Sequence, residues 1–251
     1  MASGGTATPS APPLTGDLRD TTAARRDSIR VQHYWSARAV KVLGDVDALS
    51  AEFRGVSSLS GRVSVDHLAT HGEFEVAQAV VARSDATLRG SSTLGAGFSG
   101  GDLTVVGNFR SMGPVSLDGN AHVRGSLEVA GNLTARSLEF DGLLSVLGNV
   151  DAPIVKGRVR RLSRVGTLRS QHVRIVSGAL PFRIPAPLII DRIEATEVEI
   201  AWVDCEYLRA DRIRLGPGAH VTRLDGEVVR QHRSAFVGPR SWEPLPAGIT
   251  R

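Results

Sequence analysis

Residues 123–142 read VRGSLEVAGNLTARSLEFDG, with an apolar residue at nearly every second position and glycines between the phrases. Alternation with period two is typical of a β-strand that buries one face. Here the alternation comes in three short groups, and no part of the stretch has the spacing of an amphipathic helix. The stretch therefore predicts three short strands that are separated by sharp turns.

The glycines return at a nearly constant interval along much of the chain. One series, with steps of 15 to 18 residues, holds Gly55, Gly72, Gly90, Gly107, Gly125, Gly142 and Gly157. A second series, out of phase with the first, holds Gly44, Gly61, Gly95, Gly113, Gly131 and Gly148. We expect these glycines at corners, where the chain turns sharply and often with positive φ, and we expect successive coils to stack over one apolar column. The spacing predicts an all-β, three-sided parallel β-helix (β-solenoid) of about ten coils.

The pattern divides the chain into three parts. Residues 1–28 are rich in Gly, Ser, Thr, Ala and Pro and are expected to form a disordered N-terminal tail. Residues 29–230 are expected to form the β-solenoid domain, with a loop break near 177–187, where three prolines occur. Residues 231–251 are expected to form a flexible C-terminal tail.

Composition restricts the classes of function. The chain has 251 residues, a formal net charge of +4 and a single cysteine, so it can form no disulfide within the chain. It has neither an apolar run long enough to span a bilayer nor a recognisable secretory signal. We expect a cytoplasmic location, with any association with the cell envelope arising through partners.

One segment, residues 156–174, is strongly basic. It contains seven cations and no anion: Lys156, Arg158, Arg160, Arg161, Arg164, Arg169 and Arg174. A basic face of this kind could bind anionic lipid, nucleic-acid phosphate or an acidic partner. The alternative is a solvated face that is balanced by acids on adjacent coils. No nucleic-acid-binding motif or stacking aromatic accompanies the segment, so sequence-specific recognition of nucleic acid is not expected.

Motifs for catalysis and cofactor binding are weak. Residues 95–101, GAGFSGG, match G-x-G-x-x-G, but strand-like sequence follows where a phosphate-binding helix would have to begin. His67 and His71 have a spacing seen in metal sites, but Asp66 is the only nearby carboxylate. We therefore expect no nucleotide, cofactor or metal, and no catalytic residue.

Two enzyme classes with solenoid folds remain as alternatives. Left-handed hexapeptide solenoids, which include acyltransferases and carbonic anhydrases, need aliphatic residues every six positions. Here Leu127, Leu133, Leu138 and Leu144 step by 6, 5 and 6 residues. Secreted polysaccharide lyases and hydrolases display aromatic platforms, whereas this chain is only 5% aromatic.

Two stretches resemble the bactofilin family of polymer-forming cytoskeletal proteins. They are residues 103–153, LTVVGNFRSMGPVSLDGNAHVRGSLEVAGNLTARSLEFDGLLSVLGNVDAP, and residues 216–229, GPGAHVTRLDGEVV. The resemblance lies in repeated phrases of the type V-x-G-x-φ-x-A, where φ is apolar. It implies a right-handed parallel β-helix with flexible tails that joins end to end, without nucleotide, into non-polar filaments. Such filaments act as scaffolds, and their partners are further copies or other filament subunits.

The ends of a solenoid also favour end-to-end assembly. A terminal coil exposes unpaired backbone groups over an apolar column, and no amphipathic capping helix is evident at either end. The simplest partner for such an end is another copy of the same chain, joined head to head and tail to tail. The expected polymerisation interface lies in the terminal coils and comprises Tyr34, Trp35, Val40, Val42, Val221, Leu224, Val228 and Val229. The alternative is a non-polymerising adaptor that binds anionic partners through its basic face or tails.

Overall fold

A computed structural model describes residue 14 and residues 16–177 and 188–239, and these residues form strands and turns without any helix. The strands are β1 (Asp17–Asp20), β2 (Ala24–Arg26), β3 (Ile29–Ser36), β4 (Val40–Val42), β5 (Val46–Leu59), β6 (Val63–Val76), β7 (Val80–Leu94), β8 (Phe98–Ser111), β9 (Val115–Leu117), β10 (Asn120–Val129), β11 (Leu133–Thr134), β12 (Ser137–Asp151), β13 (Ile154–Val159), β14 (Ser163–Arg169), β15 (His172–Ser177), β16 (Leu188–Ile200), β17 (Val203–Leu215), β18 (His220–Gln231) and β19 (Phe236–Val237). Several long strands turn a corner and therefore serve two sides of the coil.

Three parallel ladders run along the molecule, one for each side of the coil. The first face runs from Ile29 to Leu224. The second face runs from Leu18 to Val228, and the third runs from Ala24 to Val237. In most coils a residue pairs with its counterpart 17 or 18 positions later. The ladders confirm the predicted β-solenoid, with about 12 turns instead of about ten.

The additional turns come from residues that were expected to lie in tails. Strands β1 and β2 form a coil before Ile29, so the prediction of a disordered tail is wrong for residues 17–26. Strand β19 likewise pairs with β18 beyond residue 230. The first coil escaped prediction because two of its inward positions hold Asp20 and Arg26 in place of apolar residues. Residues 1–13, 15 and 240–251 of the two predicted tails lie outside the described residues.

The corner between the second and third faces is formed by a column of glycines that pair from coil to coil. Gly55, Gly72, Gly90, Gly107, Gly125 and Gly142 pair in succession, with φ between +82° and +146°. A Cβ on Gly107 would lie 2.1 Å from the Gly90 carbonyl oxygen. Gly157 is different, because it sits at an inward position where a Cβ would overlap the Phe140 ring. The first glycine series is thus a set of corners except at its last member.

Large and small side chains alternate within the core. On the third face, Ser57, Phe74, Ser92 and Phe109 occupy successive rungs and all are buried. The hydroxyls of Ser57 and Ser92 have no hydrogen-bond partner among the described residues. Small residues are needed there because a phenylalanine ring on the neighbouring rung occupies the space that a larger side chain would fill.

The predicted break does not interrupt the rod. Residues 178–187, which make up most of it, lie outside the described residues, but Ser163 pairs with Leu188 and the third face continues without a gap. The described residues on either side are Ser177, at the end of the second face, and Leu188, at the start of the third. The described rungs stack to a length of roughly 55 Å.

Candidate functional site

A charged network closes the interior at the N-terminal end of the rod. Asp20 points inward and is 6% exposed. Tyr34 Oη donates a hydrogen bond to Asp20 Oδ2 at 3.0 Å, and Arg26 Nε donates to the same oxygen at 3.2 Å. The hydrogen bonds from Arg26 hold the pKa of Asp20 below its usual value, whereas burial, followed by the contact with Asp20, raises the pKa of Tyr34. The apolar column therefore ends under a polar layer.

The interface residues predicted at this end belong to the second coil, whereas the first coil forms the end of the rod. Tyr34, Val40 and Val42 are buried between the first coil and the third. Trp35 points outward, and the guanidinium carbon of Arg54 lies 5.8 Å from the centre of its ring. Within the described part of the chain, the outermost edge belongs to β1, β2 and residues 29–31 of β3, each of which has a ladder partner on one side only. Tyr34, Val40 and Val42 are core residues because β1 and β2 cover them.

The C-terminal end is more open and more apolar. Strand β18 pairs with β17 along its length, but on its other side only His220 and Val221 have ladder partners among the described residues. Val228 and Val229 are 38% and 49% exposed, and Leu224 is half-buried. Val221 is buried beneath β19, so its prediction as an interface residue is wrong. The open edge is residues 222–231, and it contains three of the four predicted residues.

His220 holds strand β19 in place at both of its ends. The ring of His220 stacks on Phe236, with ring centroids 5.5 Å apart. His220 Nδ1 lies 2.7 Å from Asp204 Oδ1, and Nε2 lies 3.0 Å from the Gly238 carbonyl oxygen. Phe236 is nevertheless 52% exposed and extends the apolar surface of this end.

The seven cations of residues 156–174 do not form one face. A single coil visits all three faces, so consecutive residues of the chain are distributed around the rod. Four of the cations contact carboxylates on neighbouring coils, in the pairs Arg160–Asp141, Arg164–Asp191, Arg169–Glu194 and Arg174–Glu199. For these four residues the balanced alternative is the better description, and the prediction of one basic face is wrong.

The other three cations, Lys156, Arg158 and Arg161, have no ion pair with any described residue. Lys156 and Arg158 line a groove of about 830 Å³ together with Arg89 and Arg124. Arg89 and Arg124 were not predicted as site residues, because they lie far away in the chain. The repeat could have identified them as neighbours, because Arg89, Arg124 and Arg158 occupy the same position in alternate coils.

Protein-family models, curated proteins and solved structures gave no match to this chain. Among the residues that the structure describes, no helix is long and apolar enough to cross a bilayer.

Other candidate chemistry is dispersed. In the described ranges, no three His, Cys, Asp or Glu side chains converge as a metal site would require. His67 contacts Asp85, whereas His71 lies 3.9 Å from Glu52, on a different coil. Cys205 is buried, and this burial raises the pKa of its thiol to about 12, so the reactive thiolate form is scarce near neutral pH.

The charged network predicts a pH-dependent stability. A carboxyl group whose pKa is lowered on folding stabilises the fold above its unfolded pKa of about 3.9 and loses this effect as the pH falls through the lower folded value. Asp20→Asn is therefore expected to lower the melting temperature at neutral pH and to have a smaller effect near pH 3, measured by circular dichroism. Asp47→Asn, which alters the exposed pair with Arg30, is the control. An equal loss for Asp20→Asn at both pH values would contradict the prediction.

Proposed function

We propose that this chain is a structural protein that assembles end to end with further copies, without nucleotide, into non-polar filaments that serve as a scaffold. The observation that carries the proposal is the open edge of β18, where Leu224, Val228 and Val229 surround unpaired backbone groups within the described chain. An open strand edge with apolar side chains binds another strand by adding it to the sheet. The resemblance to bactofilins supports the same proposal, including the right-handed winding and the cytoplasmic location.

The two ends differ in chemistry and therefore in expected strength. At the C-terminal end, two copies of β18 related by a twofold axis can pair in antiparallel fashion and bury Val228, Val229 and Phe236. At the N-terminal end, β1 and β2 offer a backbone edge over the charged network of Asp20 and Arg26. The C-terminal joint is expected to form first because it buries more apolar surface. Alternating joints of the two kinds give a filament without polarity.

A second candidate is a non-polymerising adaptor. The polar layer at the N-terminal end favours it, because that layer can cover the apolar column in the way that a capping coil does. In this case assembly would stop at a tail-to-tail dimer, and binding of partners would be left to the sides of the rod.

Sedimentation velocity and negative-stain electron microscopy of the full chain, without nucleotide, test the proposal. We expect dimers of the 26.7 kDa chain at low concentration and filaments as the concentration rises. Dimers that persist at high concentration would support the adaptor. A monomer at all concentrations would overturn both assembly modes.

A further inference from the structure

A groove midway along the second face carries cations that end-to-end assembly does not use. It extends over six rungs, from the coil of Arg89 to the coil of Val176, which is roughly 24 Å along the rod. The groove is lined by side chains of β7, β8, β10, β12, β13 and β15. Its distance from both ends leaves it accessible in a monomer and in a filament.

The cations follow a regular array. Arg89, Val106, Arg124, Asp141 and Arg158 occupy successive rungs of one column. The three arginines are thus on alternate rungs, about 10 Å apart along the rod. A second column, parallel to the first, contributes His122, Glu139, Lys156 and Arg174.

The two carboxylates of the groove, Glu139 and Asp141, both lie next to basic side chains. Glu139 lies 3.4 Å from His122, and Asp141 accepts hydrogen bonds from Arg160. These hydrogen bonds, together with the charges of Arg158 and Arg124 on the adjacent rungs, hold the pKa of Asp141 below its usual value. Lys156 and the arginines at positions 89, 124 and 158 have no ion pair with any described residue. The groove therefore has a surplus of positive charge in a confined space, where the potential is focused.

We propose that this groove binds an acidic segment of another polypeptide, lying along the rod axis. Between the arginines, Val106 is 43% exposed and offers an apolar contact that suits a peptide side chain. The exposed lining contains no aromatic ring on which a nucleic-acid base could stack, since Phe140 is buried beneath the floor. About eight residues of extended peptide cover the length of the groove.

Fluorescence anisotropy of fluorescein-labelled octaglutamate with the full chain tests the proposal. The double variant Arg124→Glu/Arg158→Glu is expected to bind at least about tenfold more weakly than the unaltered chain. Arg38→Glu/Arg62→Glu is the matched control, because it makes the same change of net charge at exposed positions outside the groove. The control is expected to bind within about twofold of the unaltered chain. Circular dichroism establishes that both variants are folded, and assembly into filaments should be unchanged in both.

Three results would overturn the proposal. The first is no binding of octaglutamate at low ionic strength. The second is an equal loss of binding in the two double variants, which would indicate a general effect of net charge. The third is tighter, groove-dependent binding of a single-stranded DNA oligonucleotide or of phosphatidylglycerol vesicles, which would assign the groove to another class of ligand. Because filaments are measured separately, failure here leaves the assembly proposal intact.

Discussion

Gly107→Val is expected to abolish folding of the solenoid. A Cβ at this position would lie 2.1 Å from the Gly90 carbonyl oxygen, and the backbone has a φ of +129°. The neighbouring coils cannot retreat, because Gly107 is paired with Gly90 on one side and with Gly125 on the other. A strained φ alone costs about 1–3 kcal/mol, and the steric overlap adds to it, against a typical domain stability of about 5–15 kcal/mol.

Circular dichroism and the soluble yield measure the loss. Gly16→Ala is the matched control, because Gly16 also has a positive φ, of +75°, but no atom of the described residues lies within 4 Å of its added Cβ. The control substitution should lower the free energy of unfolding by about 1–2 kcal/mol and leave the circular dichroism signal of the β-strands intact. A native spectrum for Gly107→Val, with a melting temperature near that of the control, would show that the stack can widen at its corners.

Val228→Asp is expected to break the C-terminal joint and to leave single chains, or dimers joined through β1 and β2, while the fold is retained. Val228 stands at the open end of the second face and is 38% exposed, so a carboxylate there remains solvated in the monomer. In the proposed joint the same carboxylate would be buried without a partner, at a cost of about 2–5 kcal/mol, and the twofold axis would impose this cost twice. Association should weaken by at least roughly a hundredfold.

Sedimentation velocity with Leu147→Asp as the control distinguishes this effect from a general one. Leu147 is 69% exposed at a corner in the middle of the rod, so an added charge there should leave assembly unchanged. If Val228→Asp assembles as readily as the control, the joint does not involve the open edge. Val42, which sequence reasoning placed in the interface, is unsuitable for this test because it is completely buried.

Much of the architecture could be read from the chain because a solenoid repeats a local rule. Alternate apolar residues such as Leu127 and Val129 identify the inward face, and a glycine such as Gly125 marks the corner before them. The coils between Gly55 and Gly142 obey the same two constraints, so the period, the three faces and the parallel pairing follow from the repeat in this part of the chain. The first coil escaped this reasoning because Asp20 and Arg26 break the apolar pattern.

The candidate sites depended on contacts between coils. Seven adjacent cations looked like one face, but the winding of the chain sends Lys156, Arg164 and Arg169 to different sides of the rod. Arg89, Arg124 and Arg158 meet only because the residue counts of the intervening coils bring them into one column. Alternation and corner glycines are properties of each coil alone, and the chain displays them directly. Which residues meet in a groove or at an end depends on the lengths of all the intervening coils, and only the stacked structure defines these.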